Sequence, residues 1–347
     1  MNKSLVILIG LFFAQNSWAQ DRVIGVGIPF LLVAADARSA GMADQGVATS
    51  ADAYSQQYNP AKYAFSLDKQ GFSISYTPYL INLVNDISLG QVTYFDRISE
   101  RSAFAGSLRF FGLGEIELRQ TDSPDEVTNK VNPNEFALDG SYSLKLSDRF
   151  SMAVAGRYIR SSLRIASETT DSKPASSFAV DLAGFYQSEE IAYNDFNGRW
   201  RAGFNIQNVG PKISYNNDVA DLSSNFIPAN LRVGTGFDFI LDDYNKVAIN
   251  VELTKLLVPT PQNPDLDGDG TITSEERIQT NDTYRRIGWL PGIFQSFGDA
   301  PDGFSEELKE ITYSIGTEYL YQDSFALRAG YFHENQDKGA RKFFSLG

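Results

Sequence analysis

The sequence predicts an all-β fold, a transmembrane antiparallel β-barrel, preceded by a segment of different composition. Stretches of roughly ten residues alternate between apolar and polar side chains, for example over 178–186, 231–239 and 313–321. A soluble β-sandwich alternates in the same way but buries its apolar face, whereas a membrane barrel turns that face towards lipid. A secretory signal at the N-terminus, with no later apolar run long enough for a membrane-spanning helix, favours the barrel.

Residues 1–19 have the three-part layout of a signal peptide. Lys3 precedes an apolar run over 5–14, and a short segment ending at Ala19 follows it. The run is too short to span a bilayer as a helix, although an uncleaved anchor or a buried strand is an alternative. The chain contains no Cys, which excludes a lipid anchor on cysteine, disulfides and thiolate metal sites.

The composition fits a barrel and argues against a nucleic-acid partner. Aromatic residues make up 13% of the chain, a share that suits the interfacial girdles of a membrane barrel as well as a core. Mean hydropathy is only −0.25, because every second strand residue of a barrel faces away from lipid. The net charge of −13 argues against the basic face that phosphate contacts need, and it suits acidic loops that could hold divalent cations.

The residues that follow the signal form a segment unlike the rest of the chain. Residues 34–61 are rich in Ala, Ser and Gly and show no strand alternation, so they can pack closely inside another structure. An exposed N-terminal extension is the alternative. We therefore divide the chain into a signal peptide (1–19), an N-terminal hatch or plug segment (20–66) and a barrel (67–347).

From residue 70 onward the pattern is that of strands joined by turns of unequal length. Strands are predicted near 70–80, 87–98, 102–113, 135–147, 150–165, 177–187, 199–208, 230–242, 246–254, 310–321 and 325–334, with a twelfth beginning at Lys342. Some connections are short and polar, while 114–134, 209–229 and 255–309 are long, as in barrels with periplasmic turns and extracellular loops. We expect the chain to lack its last strand or strands; a twelve-strand barrel with a very short closing strand is the alternative.

Several stretches carry a family resemblance. They are FLLVAADARSAGM (30–42), GVAT (46–49), YNPAK (58–62), FNIQNVGPKISY (204–215) and FIPANLRVG (226–234). Together they resemble the FadL-like outer-membrane proteins and, more narrowly, the PorV family of the Bacteroidetes type IX secretion system. The Asn-Pro-Ala element is shared by all FadL-like proteins, whereas the combination of stretches is more specific.

The resemblance implies a fold, a location and a function. The fold would be a FadL-like barrel of about fourteen strands with the N-terminal segment as a hatch in its lumen. The hatch residues would include Arg38, Gly41, Met42, Asn59 and Pro60. The protein would lie in the outer membrane of a Gram-negative bacterium, in contact with outer-membrane lipid, with its loops facing the cell exterior. It would bind the C-terminal signal domain of secreted cargo at the translocon pore subunit and deliver it to the sortase-containing attachment complex.

The sharpest local motif is an acidic loop at 265–276 that fits D-x-D-x-D-G-x₅-E. Asp265, Asp267 and Asp269 supply oxygens at alternate positions, Thr271 offers its carbonyl, and Glu276 can bind through both carboxylate oxygens. Hard oxygen ligands at this spacing suit Ca²⁺. We predict a structural calcium clamp on an extracellular loop; a solvated acidic loop without metal is the alternative.

Charged residues lie on the polar faces of several predicted strands. They are Arg157, Asp181, Arg201, Arg232, Asp238, Glu318 and Arg328. Either they bind or conduct a ligand, or they form an internal ion-pair network that packs the lumen against the hatch. We favour the network, because buried charges are normally paired.

The long loop 255–309 contains an apolar patch of Trp289, Leu290, Ile293, Phe294 and Phe297. The patch either caps the barrel mouth or captures a cargo domain from the exterior. No catalytic constellation competes with these binding sites. His333 is the only histidine and has no nucleophile or base near it in the sequence, so we predict that the protein is not an enzyme.

Three functions remain for comparison. A type IX secretion shuttle needs accessible apolar loop surface, whereas a FadL-like transporter of hydrophobic small molecules needs a continuous apolar pocket beneath the hatch. The small and polar residues of 34–61 and the apolar residues of 289–297 favour the shuttle. The plug-like N-terminal segment disfavours a purely structural porin.

Overall fold

The computed structural model describes residues 23–79, 86–118, 129–163, 173–215 and 224–347, so the predicted signal peptide, 1–19, lies outside the described residues. Antiparallel β-strands dominate this part of the chain. The strands are β1 (Gln70–Pro78), β2 (Ser88–Asp96), β3 (Ser102–Gly112), β4 (Ile116–Leu118), β5 (Asn129–Val131), β6 (Asn134–Lys145), β7 (Phe150–Ser161), β8 (Ala175–Gln187), β9 (Ile191–Ala192), β10 (Asn197–Val209), β11 (Asn230–Ile240), β12 (Asn245–Leu256), β13 (Ile311–Tyr321), β14 (Phe325–His333) and β15 (Lys342–Leu346).

One antiparallel sheet contains all of these strands except a separate hairpin. Its order is β1-β2-β3-β6-β7-β8-β10-β11-β12-β13-β14-β15, with β9 paired to β10, while β4 and β5 pair only with each other. The twelve predicted strands are confirmed, with ends that shift by a few residues. The extra strands β4, β5 and β9 are too short to show alternation in the sequence.

The two faces of the sheet have the polarity of a membrane barrel. On β7, for example, Val154 points outward and is 55% exposed, whereas Ser151 and Arg157 on the other face are buried. The same inversion recurs on β6 and β8, where Leu138 and Phe178 are exposed. A soluble sandwich would bury the apolar side chains and expose the charged ones. The outward face is therefore suited to lipid, and the inward face encloses a polar lumen.

Connections between strands differ at the two ends of the sheet. One end, the short-turn end, has the connections 97–101, 146–149, 188–196, 241–244 and 322–324. The opposite, long-loop end has 79–87, 113–133, 162–174, 210–229, 257–310 and 334–341. This alternation matches the predicted layout. The longest connection is not irregular throughout, because it contains three helices.

The helices are short: two belong to the N-terminal segment and three to the connection between β12 and β13. They are α1 (Ala37–Gly41), α2 (Ser55–Tyr58), α3 (Ser274–Arg286), α4 (Trp289–Gln295) and α5 (Phe304–Lys309), with 3₁₀ turns at Pro29–Leu32, Pro60–Phe65 and Gln336–Lys338. Among the described residues, no helix has the length and apolar composition needed to cross a membrane.

The N-terminal segment runs through the lumen from one end of the sheet to the other. At the long-loop end, Ile28 and Phe30 belong to an apolar cluster with Leu89 and Ile159. At the short-turn end, the ring of Tyr63 stacks on Phe95 with centroids 4.7 Å apart. The segment contacts strands from β1, where Thr77 donates to the Ala35 carbonyl, to β15, where Ser345 accepts from the Ala43 N–H, so the sheet curls around it. Strands β1 and β15 stand at the two ends of the strand order and are not paired with each other in the described part of the chain.

Candidate functional site

The insertion between β12 and β13 carries both the predicted metal loop and the predicted apolar patch. Its first helix, α3, begins with a capping box in which Thr273 and Glu276 satisfy each other's backbone N–H groups. Glu275 and Glu276 lie in the first turn and Arg285 and Arg286 in the last, which complements the helix dipole. The sequence thus specifies a helix in the segment that strand alternation leaves as a loop.

Helix α4 holds four of the five predicted patch residues, and Phe297 follows two residues after its end. Leu290, Phe294 and Phe297 are 48%, 72% and 54% exposed, whereas Trp289 and Ile293 are half-buried. Leu290 and Phe294 are four residues apart, so they share one helix face. We call Leu290, Phe294 and Phe297 the α4 surface.

The opposite side of α4 packs closely against neighbouring loops. Gly292 is buried, and a Cβ placed there would lie 2.9 Å from Pro259 and 3.0 Å from the ring of Phe226. Tyr284 of α3 packs edge-on against the same Phe226 ring and donates a hydrogen bond to the Pro259 carbonyl at 3.1 Å. The apolar residues of the α4 surface are thus presented outward by a fixed base.

The acidic loop brings three of its five predicted ligands together. Carboxylate oxygens of Asp265, Asp267 and Asp269 lie within 4.8 Å of one another. Gly268 and Gly270 adopt positive φ angles of 76° and 82°, which allows the tight turn. Three convergent carboxylates are oxygen donors of the kind that Ca²⁺ prefers, so these residues fit the ion.

Glu276, the predicted bidentate ligand, is held by the loop instead of converging with the aspartates. Its carboxylate accepts hydrogen bonds from the backbone N–H of Leu266 at 2.9 Å and from the backbone and hydroxyl of Thr273 at 2.8 and 2.7 Å. These hydrogen bonds, above all those from Thr273, lower the pKa of Glu276 to about 2. Thr271 shares the loop, and its N–H donates to Asp269 at 2.7 Å.

Every predicted lumenal charge has a partner of opposite charge. Arg157 pairs with Asp139 and Asp181, Arg201 with Asp238, Arg232 with Glu252, and Arg328 with Glu318. Sequence reasoning missed Asp139 and Glu252, although both occupy inward positions of alternating strands.

Several of these charges bind the N-terminal segment directly. Glu252 accepts from the backbone N–H groups of Gly46 and Val47 at 2.8 and 2.9 Å, while Arg232 holds its other oxygen at 2.7 Å. Arg38, a predicted hatch residue, forms ion pairs with both Asp52 and Glu318 at 2.7 Å. The charges therefore join the segment to the strands.

The remaining predicted hatch residues are packed into the lumen. Asn59 donates to the carbonyls of Val47 and Gly184 at 2.8 and 3.0 Å, and the adjoining Pro60 is buried. Met42 is fully buried, and Gly41 lies against the end of β15. The segment is thus fixed by direct hydrogen bonds as well as by ion pairs.

A cavity of about 730 Å³ lies between the N-terminal segment and the strands β11 to β15. Val23, Ile24 and Leu32 line one wall, and Leu256 and Phe332 line the other. Arg232, Glu310 and Arg341 add charged groups to this largely apolar space. Its size is that of a small-molecule pocket.

His333 lies at the end of β14 and stacks on Tyr313 with ring centroids 4.6 Å apart. The Tyr331 hydroxyl lies 3.2 Å from its Nδ1. These ring contacts form part of the aromatic layer at the long-loop end, and the absence of catalysis stays a prediction.

Comparison with models of protein families gives a match over most of the chain. The family described as type IX secretion system protein PorV matches residues 16–263. No curated protein matches the chain by sequence. The match ends before the metal loop, so the helical insertion has to be interpreted from its own geometry.

Solved structures give weaker similarities. The toluene transporter TodX of Pseudomonas putida is 13% identical, with a TM-score of 0.41, over 85% of this chain and 82% of that chain. A mutant of the TodX monoaromatic hydrocarbon channel is 12% identical, with a TM-score of 0.43, over 88% and 83%. A Pseudomonas aeruginosa FadL homologue is 12% identical, with a TM-score of 0.32, over 89% and 94%.

Proposed function

The chain belongs to the PorV family of type IX secretion system proteins, and on this premise we propose that it is the cargo shuttle of that system. As a family member it is an outer-membrane component of type IX secretion. In the proposed role it binds the C-terminal signal domain of a secreted protein beside the translocon pore. It then delivers that protein to the attachment and sortase complex at the cell surface.

The observation that carries this proposal is the α4 surface. Leu290, Phe294 and Phe297 are exposed on the long-loop side, where cargo would arrive. Contiguous exposed apolar residues on a protein surface mark a binding site for another macromolecule. Aromatic side chains contribute large contact areas at such interfaces, and a rigid base reduces the entropy lost on binding.

The test is co-purification of cargo from native outer membranes in mild detergent. The variant Leu290→Asp/Phe294→Asp places charges in the surface, and Ile278→Asp on α3 is the matched control, because Ile278 is also apolar and 62% exposed. We expect the control to recover secreted proteins that share a C-terminal β-domain, together with a sortase-like protein or a large pore subunit. The double variant should lose the cargo while it keeps the heat-modifiable mobility of a folded barrel. Unchanged recovery would remove the α4 surface from the proposal.

A second candidate function rests on the cavity beneath the N-terminal segment. Its volume of about 730 Å³ and its apolar walls suit a hydrophobic small molecule, as a FadL-like transporter would require. The same purification separates the two functions. A lone barrel that carries bound lipid or fatty acid, with no cargo, would favour transport.

We also propose that the loop 265–276 holds a structural Ca²⁺ ion. Asp265, Asp267 and Asp269 would ligate it with the Thr271 carbonyl, and Glu276 would join by giving up its loop hydrogen bonds. The ion would offset the mutual repulsion of three adjacent carboxylates and fix the start of α3. Loops of this type outside the cell bind calcium with dissociation constants on the order of 10⁻⁴–10⁻³ M.

A further inference from the structure

Helix α5 has its polarity reversed relative to an ordinary surface helix. Glu306 and Glu307 are buried, whereas Phe304 and Leu308 are 77% and 51% exposed. Phe304 and Leu308 are four residues apart and occupy one face. A helix on the surface of a soluble domain would bury the apolar pair and expose the acids.

The buried acids show which side of α5 faces the barrel. Lys255 Nζ lies 2.9 Å from Glu307 Oε2 and 2.7 Å from Glu310 Oε2. Lys338 Nζ lies 2.7 Å from Glu306 Oε1 and 3.0 Å from Glu310 Oε1. Burial opposes the ionisation of Glu310, but hydrogen bonds from Lys255, Thr260 and Lys338 outweigh it and hold its pKa below the usual value. The acidic face of α5 is thus attached to the rim of the barrel.

Lys255 places one side of this attachment on the outward face of the sheet, whereas Glu310 and Lys338 line the cavity on its inner side. Ile249, Val251 and Leu253 are the outward, exposed positions of β12, and Glu252 between them is inward and buried. Because side chains alternate along a strand, Lys255 is the next outward position after Leu253. The acids of α5 therefore lie across the rim: Glu307 bonds to the outward Lys255, whereas Glu306 bonds to Lys338, which lines the cavity. Phe304 and Leu308 lie two residues to either side of Glu306, so they occupy the opposite face of the helix and point away from the cavity.

The height of α5 is set by the register of the strands. Leu253 is paired with Tyr313, and Tyr313 with His333, whose ring it stacks on. Lys255 lies two residues further, roughly 7 Å along the strand. Aromatic residues near strand ends mark the membrane interface of a barrel. Helix α5 is attached just beyond this aromatic layer, at the strand and on the side where the apolar outward positions end at Leu253.

We propose that α5 is an interfacial helix that seats the insertion on the outer leaflet of the membrane through Phe304 and Leu308. The inference rests on the outer-membrane location of the chain but does not depend on cargo binding. Lipid is the occupant because the apolar face extends the lipid-facing band at the depth of the interface. Short helices with an apolar face lie in the boundary between headgroups and acyl chains. The ion pairs with Lys255 and Lys338 hold the helix at that depth.

The test uses single-cysteine labelling, which the absence of native cysteine makes unambiguous. Phe304→Cys and Leu308→Cys are labelled with an environment-sensitive fluorophore, and the protein is reconstituted in vesicles of phosphatidylcholine and phosphatidylglycerol. A phosphatidylcholine that carries a nitroxide near the headgroup end of its acyl chain is the quencher. Leu253→Cys on the outward face of β12 is the positive control, and Ile278→Cys on α3 is the negative control, being 62% exposed.

We expect the labels at 304 and 308 to be quenched severalfold more strongly than the label at 278, and to approach the label at 253. Quenching at 304 and 308 equal to that at 278 would overturn the proposal. Weak quenching together with a blue shift on addition of a cargo domain would also overturn it, in favour of a protein partner. The variant Phe304→Asp/Leu308→Asp should still recover cargo, because cargo recovery depends on the α4 surface and not on α5. Lipid contact of α5 and the shuttle function are therefore tested separately.

Discussion

Arg38 and Glu318 form a two-contact ion pair although they are 280 residues apart in the sequence. Arg38 Nε lies 3.0 Å from Glu318 Oε2, and Nη2 lies 2.7 Å from Oε1. The pair joins the first helix of the N-terminal segment to β13 within the lumen. Asp52 and Arg328 extend it into a four-charge network. The segment is thereby built into the barrel as a part of its core.

Removal of Arg38 should destabilise the barrel. Arg38→Ala leaves Asp52 and Glu318 short of one cation in a buried site, which costs about 3 kcal/mol. Urea unfolding in lipid vesicles, followed by tryptophan fluorescence, gives the free energy of unfolding. The matched control is Arg149→Ala, because Arg149 pairs with Glu189 in a short turn where the side chains are 52% and 73% exposed. That exposed pair should contribute little to stability, because solvent screens it, and equal losses for the two variants would contradict the structural role of Arg38.

Close packing between segment and sheet should show in glycine substitutions. A Cβ at Gly203 of β10 would lie 2.3 Å from the Val47 carbonyl oxygen, whereas a Cβ at Gly140 of β6 meets nothing within 4 Å. Gly203→Ala should therefore cost about 1–3 kcal/mol through overpacking, and Gly140→Ala should be close to neutral. Thermal loss of heat-modifiable mobility compares the two. A stable Gly203→Ala barrel would mean that the segment can move away from β10.

The alternation of apolar and polar residues predicted the strands because successive side chains of a strand occupy opposite faces. The same rule explains why β7 and β12 expose apolar residues and bury charged ones. Alternation did not predict α4 and α5, since helices of seven and six residues show too little periodicity to stand out in a long connection. The capping residues Thr273 and Glu276 were visible as part of the metal motif, and they also signal the start of α3.

The sequence also predicted which residues carry charge in the lumen but not which residues pair. Arg157 and Asp181 are both inward on neighbouring strands, yet Asp139, which bonds to the same guanidinium, was not singled out. Pairing depends on the register between strands and on the path of the N-terminal segment. Neither can be read from a local pattern, because both are set by tertiary packing. For the same reason Phe304 and Leu308 were missed as surface residues.

Calcium should bind the loop 265–276 in a manner that depends on Asp267. Radiolabelled calcium in equilibrium dialysis should show one site with a dissociation constant on the order of 10⁻⁴–10⁻³ M. Asp267→Asn removes one charge from the three convergent carboxylates and should weaken binding at least about tenfold. Asp282→Asn on α3, outside the loop, is the control and should bind as the unaltered protein does. Equal binding by both variants, or none at millimolar calcium, would contradict the metal site.

Glu276 should make the start of α3 sensitive to acid when calcium is removed by a chelator. Hydrogen bonds from Thr273 lower its pKa from 4.5 to about 2, so the folded loop favours the carboxylate more than an unfolded loop does. The stabilisation is therefore complete above the unfolded pKa and is lost as pH falls through the folded value. Glu276→Gln keeps the length of the side chain but removes its charge. Hydrogen-exchange mass spectrometry of peptides over 265–286 should show greater protection in the unaltered protein than in the variant near neutral pH. That difference should shrink below the pKa of a free glutamate and vanish only below a pH of about 2, because Glu276 is neutral in the folded loop only there. A difference that persists below that pH would mean that residue 276 acts on the loop through its shape and not through its charge.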